Sequence, residues 1–276
     1  MAGITLIFSV VVLLFVSLCK VLHGSVSTMK ASFSFVDGSS RRRNVMLVIA
    51  HPDDESMFFA PVIRHLISMG HNMHILCIST GFGSTQTSWN FKILVATVGN
   101  ADGMGNIRKE ELYMASTILK IPTQQVNILD HPDLQDGFGK AWDWNILARI
   151  IDNETRAYSI DLIITFDDYG VSGHCNHRDL HQGVRKLLYD ESGRNLEAWE
   201  LVSTNLIRKY VGPVDIWFSI LLARCQGNGR SHCFVSFDPR TSYAAMAQHY
   251  SQWVWFRKLF VAFSSYTYVN MLKKIN

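Results

Sequence analysis

The chain has 276 residues, of which 48% are hydrophobic, so its length suits one α/β domain with an additional segment rather than two full domains. Its formal net charge of +3 is small and its basic residues are scattered, which argues against a nucleic-acid partner. Its 5 cysteines are widely spaced and include no C-x-x-C pair, which indicates a reducing compartment rather than a disulfide framework.

The N-terminal segment is apolar. Residues 4–19 carry no charged side chain and approach the length of about 20 residues that a membrane span needs. A cleaved signal peptide is the alternative, but such peptides usually begin with basic residues, and here none precedes Lys20. We therefore expect a transmembrane signal anchor over 1–23 and a polar linker over 24–43. Since basic residues follow the span, most densely at 41–43, the positive-inside rule places the following domain in the cytosol.

An apolar, β-branched run over 45–50 ends abruptly in the motif HPDDE. The run predicts a strand buried on both faces, and Pro52 with its following acids predicts the start of a helix. Helix capping explains the proline and one or two acids, but not a histidine beside two aspartates. One helical turn brings His51 and Asp54 to the same side and leaves Asp53 for another role. An imidazole with a carboxylate is typical of a catalytic zinc site.

The next elements follow from apolar periodicity: a helix over 55–68, a strand over 74–79 and a helix over 106–120. We expect Asn106 to cap the last of these helices. Arg108 and Glu111 stand one turn apart on it, which predicts a helical ion pair unless Arg108 has a role in binding.

A strand over 126–129 and an amphipathic helix over 142–158 come next. The strand ends in a second histidine–proline–aspartate sequence that begins after Asp130. This sequence lacks the double aspartate of the first, so we interpret His131 as a loop residue rather than a metal ligand.

A second apolar strand, over 162–166, opens into a polar loop that carries His174 and His177, and a helix follows over 177–189. Two strand-end loops therefore both present residue types that bind metals. Ligands bind at the carboxyl ends of the strands in open α/β sheets, so we expect these two loops to meet. Three protein ligands and a water are typical of catalytic zinc, and His51, Asp54 and His177 would supply the three. His181 is a rival ligand that we interpret as a surface residue of the helix.

The C-terminal third is less regular. We expect late strands over 201–207 and 233–237, and the apolar run over 214–222 is a candidate for membrane contact. Residues 252–268 mix aromatic side chains with two basic ones, Arg257 and Lys258. This composition favours a bilayer interface, and the alternative is a terminal helix that packs on the domain.

These motifs together resemble a known family. The matching segments are AHPDDE and MFFAP, then IRKEEL, then ITFDDYGVSGHCNH, and finally WFRKLF near the C-terminus. The chain is similar to the PIG-L/LmbE-like zinc de-N-acetylases, and more narrowly to plant-like members that act in GPI-anchor synthesis. The resemblance covers nearly everything from Asn44 to the C-terminus except the segment 82–99.

The resemblance implies a Rossmann-like three-layer α/β/α fold with a mainly parallel sheet, formed by residues 44–276. It implies that Zn²⁺, or another divalent transition metal, binds to the same three residues that the spacing indicated. It also implies that Asp53 is the general base on the zinc-bound water. His174 would face the oxyanion or the leaving amine as an imidazolium. Cys175, which stands between the two histidines, is also a candidate metal ligand, but the resemblance implies that it does not bind the metal.

The resemblance also implies a substrate, N-acetylglucosaminyl-phosphatidylinositol in the endoplasmic reticulum membrane. Its deacetylation, the second step of GPI-anchor synthesis, would release acetate. Arg108 would lie near the sugar or the phosphate, and Asp130 would bind a sugar hydroxyl. One alternative substrate is a soluble N-acetylglucosaminide. Relatives lack 82–99. A second alternative is therefore that the chain is a catalytically impaired splice variant that acts only as an interaction protein. A third is that 82–99 forms a substrate lid.

Overall fold

A computed structural model describes residues 42–80, 104–136, 141–225, 231–236 and 238–275. Its strands are Asn44–Ile49 (β1), Asn72–Cys77 (β2), Val126–Ile128 (β3), Leu162–Phe166 (β4), Glu197–Leu201 (β5), Ser231–Val235 (β6) and Val269–Lys274 (β7). They form one sheet of 7 strands in the order β3-β2-β1-β4-β5-β7-β6. Strands β1 to β5 are parallel to one another, and β7 runs antiparallel to both β5 and β6. The predicted mixed α/β fold with a mostly parallel sheet is thus confirmed.

The helices are Asp54–Phe58 (α1), Ala60–Ser68 (α2), Met104–Ile118 (α3), Trp144–Ala157 (α4), Cys175–Asp190 (α5), Leu206–Lys209 (α6), Asp215–Cys225 (α7), Arg240–Met246 (α8) and Trp255–Phe263 (α9). Short 3₁₀ turns lie at Thr123–Gln125, Gly212–Val214 and Ser265–Thr267, and a distorted helical turn at Gly170–Gly173. Two groups of helices result, since α4 packs against α5, whereas α8 packs against α1, α2 and α3.

The core lies along the central strands. All five residues of β4 are buried, as are the last five of β1, which is typical of strands covered on both faces. The chain runs from β1 to β2 in one direction along the sheet, and β4 lies on the other side of β1. The carboxyl ends of β1 and β4 therefore meet at the point where the strand order reverses, where ligands bind in open α/β sheets.

Several predicted element boundaries are wrong. The helix over 55–68 is two helices that meet at Phe59, and Pro52 precedes the first of them, whose N-cap is Asp53. Asn106 is not an N-cap, because α3 already begins at Met104. The strand expected over 201–207 ends at Leu201 and is followed by the short helix α6.

The C-terminal segment differs most from its prediction. Helix α9 is shorter than the predicted aromatic segment and gives way to β7, a strand that was not predicted. Asn270 interrupts the apolar pattern of this strand although it is fully buried. Its side chain accepts from the amide of Val62 at 3.1 Å and donates to the carbonyl of Phe58 at 2.7 Å. These hydrogen bonds satisfy the polar groups of the buried side chain and of the two backbone positions.

The predicted anchor over 1–23, most of the linker over 24–43 and the segment 82–99 lie outside the described residues. Within the described ranges no helix is long and apolar enough to cross a membrane. The apolar run over 214–222 lies mostly in α7, an 11-residue helix.

Candidate active site

Two strand-end loops form one cavity of about 490 Å³. The loop after β1 contributes His51, Asp53 and Asp54, and the segment after β4 contributes His174 and His177. They meet because β1 and β4 are adjacent parallel strands. The structure therefore brings together the five residues that the two motifs predicted for metal binding and catalysis.

Three buried residues, His51, Asp54 and His177, place their ligand atoms within 4.8 Å of one another. One Asp54 oxygen lies 3.2 Å from Nε2 of His177, and the other lies 3.8 Å from Nδ1 of His51. Burial alone would raise the pKa of Asp54, but the two histidines and backbone hydrogen bonds lower it overall. The carboxylate is thus ionised, as a metal ligand must be.

The ring of His177 is held in one orientation. Its Nδ1 lies 3.1 Å from the carbonyl oxygen of Gly170, and the ring stacks on Phe166 with a centroid distance of 3.8 Å. A ring that donates from Nδ1 presents Nε2 as its ligand atom. This Nε2 is buried and has no hydrogen-bond partner in the described part of the chain. Nε2 of His177 is thus an acceptor without a hydrogen bond in the described residues, and it faces the ionised carboxylate of Asp54 and the imidazole of His51. This set of atoms fits a divalent cation.

A second group shares His51 and adds Asp136 and His174. Oδ1 of Asp136 lies 3.2 Å from Nε2 of His51 and accepts from Asn176 at 3.2 Å. Burial opposes ionisation, but the bond to His51 and nearby positive groups lower the pKa of Asp136 well below its usual range. The sequence reasoning missed this residue. The only signal was its place in the loop after β3, at the same edge of the sheet.

Asp130, the acid predicted in that loop, does not reach the site. It is exposed, accepts from Nε2 of Gln135 at 3.1 Å and is not among the residues that line the cavity. Asp130 comes only two residues after the end of β3 at Ile128. The acid that reaches His51 is Asp136, which lies six residues farther along the loop.

His174 is the N-cap residue of α5 and lies close to both of the other histidines. Its ring centroid is 4.9 Å from that of His51 and 4.8 Å from that of His177. Burial and then the charges of these neighbours lower the pKa of His174 to about 4. The resting side chain is therefore a neutral imidazole at pH 7, and the expected imidazolium is not its resting state.

Asp53 faces the cavity and forms an ion pair with Arg257 of α9. Its backbone amide donates to Glu55 at 3.1 Å, and Glu55 is bound in turn to His249 at 2.7 Å, with both of these side chains fully buried. The segment before α9 thus supports the loop that carries the acids. The contacts with Arg257 and His249 were not predicted, since each joins parts of the chain about 200 residues apart in sequence.

Arg108 also lines the cavity, where its Nη2 donates to Gln252 at 3.0 Å. Glu111, its predicted partner, is fully buried and accepts from the backbone and hydroxyl of Ser251 at 2.7 and 2.6 Å. His181 is not a surface residue, because it is buried with Nδ1 3.1 Å from the carbonyl of Phe166. It lies outside both groups of candidate metal ligands.

Comparison with known proteins decides the family. The family model described as PIG-L, GlcNAc-PI de-N-acetylase, matches residues 46–188. The chain belongs to the PIG-L family. The N-acetylglucosaminyl-phosphatidylinositol de-N-acetylase of Bos taurus is 37% identical over 238 residues, which cover 85% of the PIG-L chain described here and 83% of its relative. A probable enzyme of the same name from Dictyostelium discoideum is 30% identical over 260 residues and covers 85% and 94% of the two chains.

Solved structures share the fold of this PIG-L chain. The N,N'-diacetylchitobiose deacetylase of Pyrococcus horikoshii superposes with a TM-score of 0.58 at 12% identity, over 88% of each chain. PIG-L/LmbE deacetylases are metal-dependent, and the His51, Asp54 and His177 group can hold the ion. Imidazole and carboxylate ligands suit zinc, iron and manganese alike.

Proposed function

We propose that this PIG-L family member is a zinc-dependent amidohydrolase that removes the N-acetyl group of N-acetylglucosaminyl-phosphatidylinositol and releases acetate in GPI-anchor synthesis. The observation that carries the proposal is a carboxylate, Asp53, in the same cavity as the His51, Asp54 and His177 group. The names of the relatives support the substrate. A lipid-linked substrate also suits a cavity wall formed by the apolar side chains of α9.

Each cavity residue has a role in the proposed hydrolysis. His51, Asp54 and His177 would hold a divalent metal, which when bound would supply Lewis acidity and lower the pKa of a water to about 7. Asp53 accepts a proton from the attacking water and passes it to the leaving amine. The neutral ring of His174 donates a hydrogen bond to the oxygen of the acetamide, where negative charge develops. Arg108 contacts the sugar or the phosphate.

We place the enzyme at the endoplasmic reticulum membrane, with residues 44–276 as the catalytic domain on the cytosolic side. The apolar segment 1–23 and the basic residues that follow it support this topology. The exposed aromatic side chains of α9 are consistent with a domain that works at a bilayer surface.

The test is acetate release from N-acetylglucosaminyl-phosphatidylinositol in vesicles. We expect the chain to be active, and we expect Asp53→Ala to lower kcat by about 10²- to 10⁴-fold, since a general base contributes that much. Its metal content should remain, because Asp53 is in neither group of candidate ligands. Asp133→Ala is the matched control, since its carboxylate is exposed and does not line the cavity.

The same assay separates the alternatives. If activity appears only after deletion of 82–99, the family chemistry holds and the intact chain is the impaired variant. If neither form deacetylates the lipid while a water-soluble N-acetylglucosaminide is hydrolysed, the substrate is the soluble one and the proposal is wrong.

A further inference from the structure

Arg257 is placed to bind an anion inside the cavity. It lies on α9 with 21% of its side chain exposed and faces the loop that carries Asp53. Arg257 makes two polar side-chain contacts within the described ranges, and both use Nη1. One is the ion pair with Asp53, and the other is a hydrogen bond of 2.9 Å to Oε1 of Gln252. A guanidinium has five N–H donors, so Nε and Nη2 remain as a fork for a planar or tetrahedral anion.

The guanidinium of Arg108 donates to the same atom as that of Arg257, Oε1 of Gln252. Arg108 donates from Nη2 to Oε1 of Gln252 at 3.0 Å, and Gln252 is fixed by its own Nε2, which donates to the carbonyl of Pro52 at 3.0 Å. The two cations are therefore separated by a single amide oxygen. Two like charges so close in a half-buried cavity favour an anion between them, and phosphate groups suit paired arginines because each fork makes parallel hydrogen bonds.

The ion pair with Asp53 occupies the same guanidinium that would bind the anion. As it stands, Asp53 is held by Arg257, and no other described residue forms an ion pair with it. A substrate phosphate that engages Arg257 would compete directly with Asp53 for the same guanidinium.

We propose that Arg257 and Arg108 together bind the phosphodiester of the substrate, and that Arg257 exchanges its ion pair with Asp53 for one with the phosphate. The inference rests on the proposed function and adds a substrate-recognition residue from the C-terminal helix. The enzyme then discriminates against N-acetylglucosaminides that lack phosphate.

The test uses the full chain and two water-soluble compounds that differ only in phosphate: N-acetylglucosaminyl-inositol and its methyl phosphodiester. The wild-type chain should prefer the phosphodiester. We expect Arg257→Ala to lower kcat/KM for the phosphodiester by about 10- to 100-fold, the effect of losing a hydrogen bond to a charged group. The same variant should lower kcat/KM for the phosphate-free compound by a much smaller factor, because that compound has no phosphate for Arg257 to bind.

A merely structural role for Arg257 would lower both rates by the same factor, and that result would overturn the proposal. Arg257→Lys should fall between the wild type and the alanine variant on the phosphodiester, because it keeps the charge and loses the fork. Lys258→Gln is the matched control, since Lys258 is exposed on the same helix, 5.6 Å from the ring centroid of Trp253, and should change neither rate.

Calorimetry separates this proposal from the proposed function. Inositol methyl phosphate should bind the wild-type chain more tightly than inositol does, and Arg257→Ala should remove the difference, whether or not acetate is released. Equal binding of the two probes by the wild type would refute the phosphate site. Inorganic phosphate should bind more weakly than the diester; tighter binding would show that the site takes free phosphate and would overturn the assignment to a lipid headgroup.

Discussion

At the scale of single residues, Asp53 combines an unfavourable backbone with a reactive position. Its φ of 116° lies in the left-handed region, which costs about 1–3 kcal/mol for a residue with a side chain. The surrounding hydrogen bonds stabilise it, since Glu55 accepts from its amide and His249 fixes Glu55. This strain turns the carboxylate into the cavity directly after β1, while its neighbour Asp54 points at the histidines.

Asp136 provides the first prediction at this scale. Asp136→Asn should lower activity and metal affinity by about 10- to 100-fold, because a carboxylate that hydrogen-bonds a ligating imidazole orients it and raises its basicity. The measurement is kcat/KM together with metal titration. Asp130→Asn is the control and should change neither quantity, since Asp130 is exposed and bound to Gln135. A larger effect at Asp130 than at Asp136 would restore the interpretation made from sequence.

The sequence was sufficient for the residues that belong to a recognisable motif after a predicted strand. His51, Asp54 and His177 follow long apolar runs, so their strands and their common edge could be predicted together. Arg257 and Asp136 could not be found this way. Arg257 reaches Asp53 from a helix about 200 residues later, and nothing in its local pattern distinguishes it from Lys258 beside it.

At the scale of elements, the turn at Gly170–Gly173 decides where His177 lies. Gly170 and Val171 both have positive φ, of 65° and 67°, which reverses the chain between β4 and α5. A Cβ on Gly170 would lie 2.7 Å from Cβ of His177, so only glycine permits this approach. The carbonyl of the same glycine lies 3.1 Å from Nδ1 of the histidine. The turn thus sets both the position and the orientation of a candidate ligand.

This arrangement predicts different effects for two neighbouring glycines. Gly170→Ala should weaken metal binding about 10- to 100-fold, since it displaces His177 as well as straining the backbone. Gly173→Ala meets the same strain, with φ of 78°, but its Cβ would contact nothing within 4 Å. It should lower only the free energy of unfolding, by about 1 kcal/mol. Metal titration and thermal unfolding of both variants separate the two effects, and equal metal affinities would show that the turn does not position the ligand.

At the scale of the whole molecule, the position of the last strand determines which helix forms one wall of the active site. Strand β7 lies between β5 and β6 and antiparallel to both, and Asn270 binds it to α1 and α2. This return of the chain holds α9 at the cavity, where Phe256, Leu259 and Phe263 form an apolar wall. Sequence pattern predicted β1 and β4 most directly because they are almost continuous apolar runs. It could not predict β7, since a buried asparagine and two lysines interrupt its pattern.

The apolar rim on α9 leads to the last prediction. The rim consists of Trp255 together with the wall residues Phe256, Leu259 and Phe263, all of which are exposed. Trp255, at the start of the helix, is 72% exposed. Its ring becomes buried only if the rim contacts a bilayer. Trp255→Ser should therefore raise KM for substrate in vesicles by about tenfold, the loss expected for one partly buried aromatic side chain. It should leave kcat/KM for a water-soluble phosphodiester substrate unchanged, because Trp255 does not line the cavity. Tyr189→Ser is the matched control: its side chain is 84% exposed, and it lies about 18 Å along α5 from His177. An equal rise in KM for both variants would mean that general surface hydrophobicity, and not the rim beside the cavity, brings the domain to its substrate.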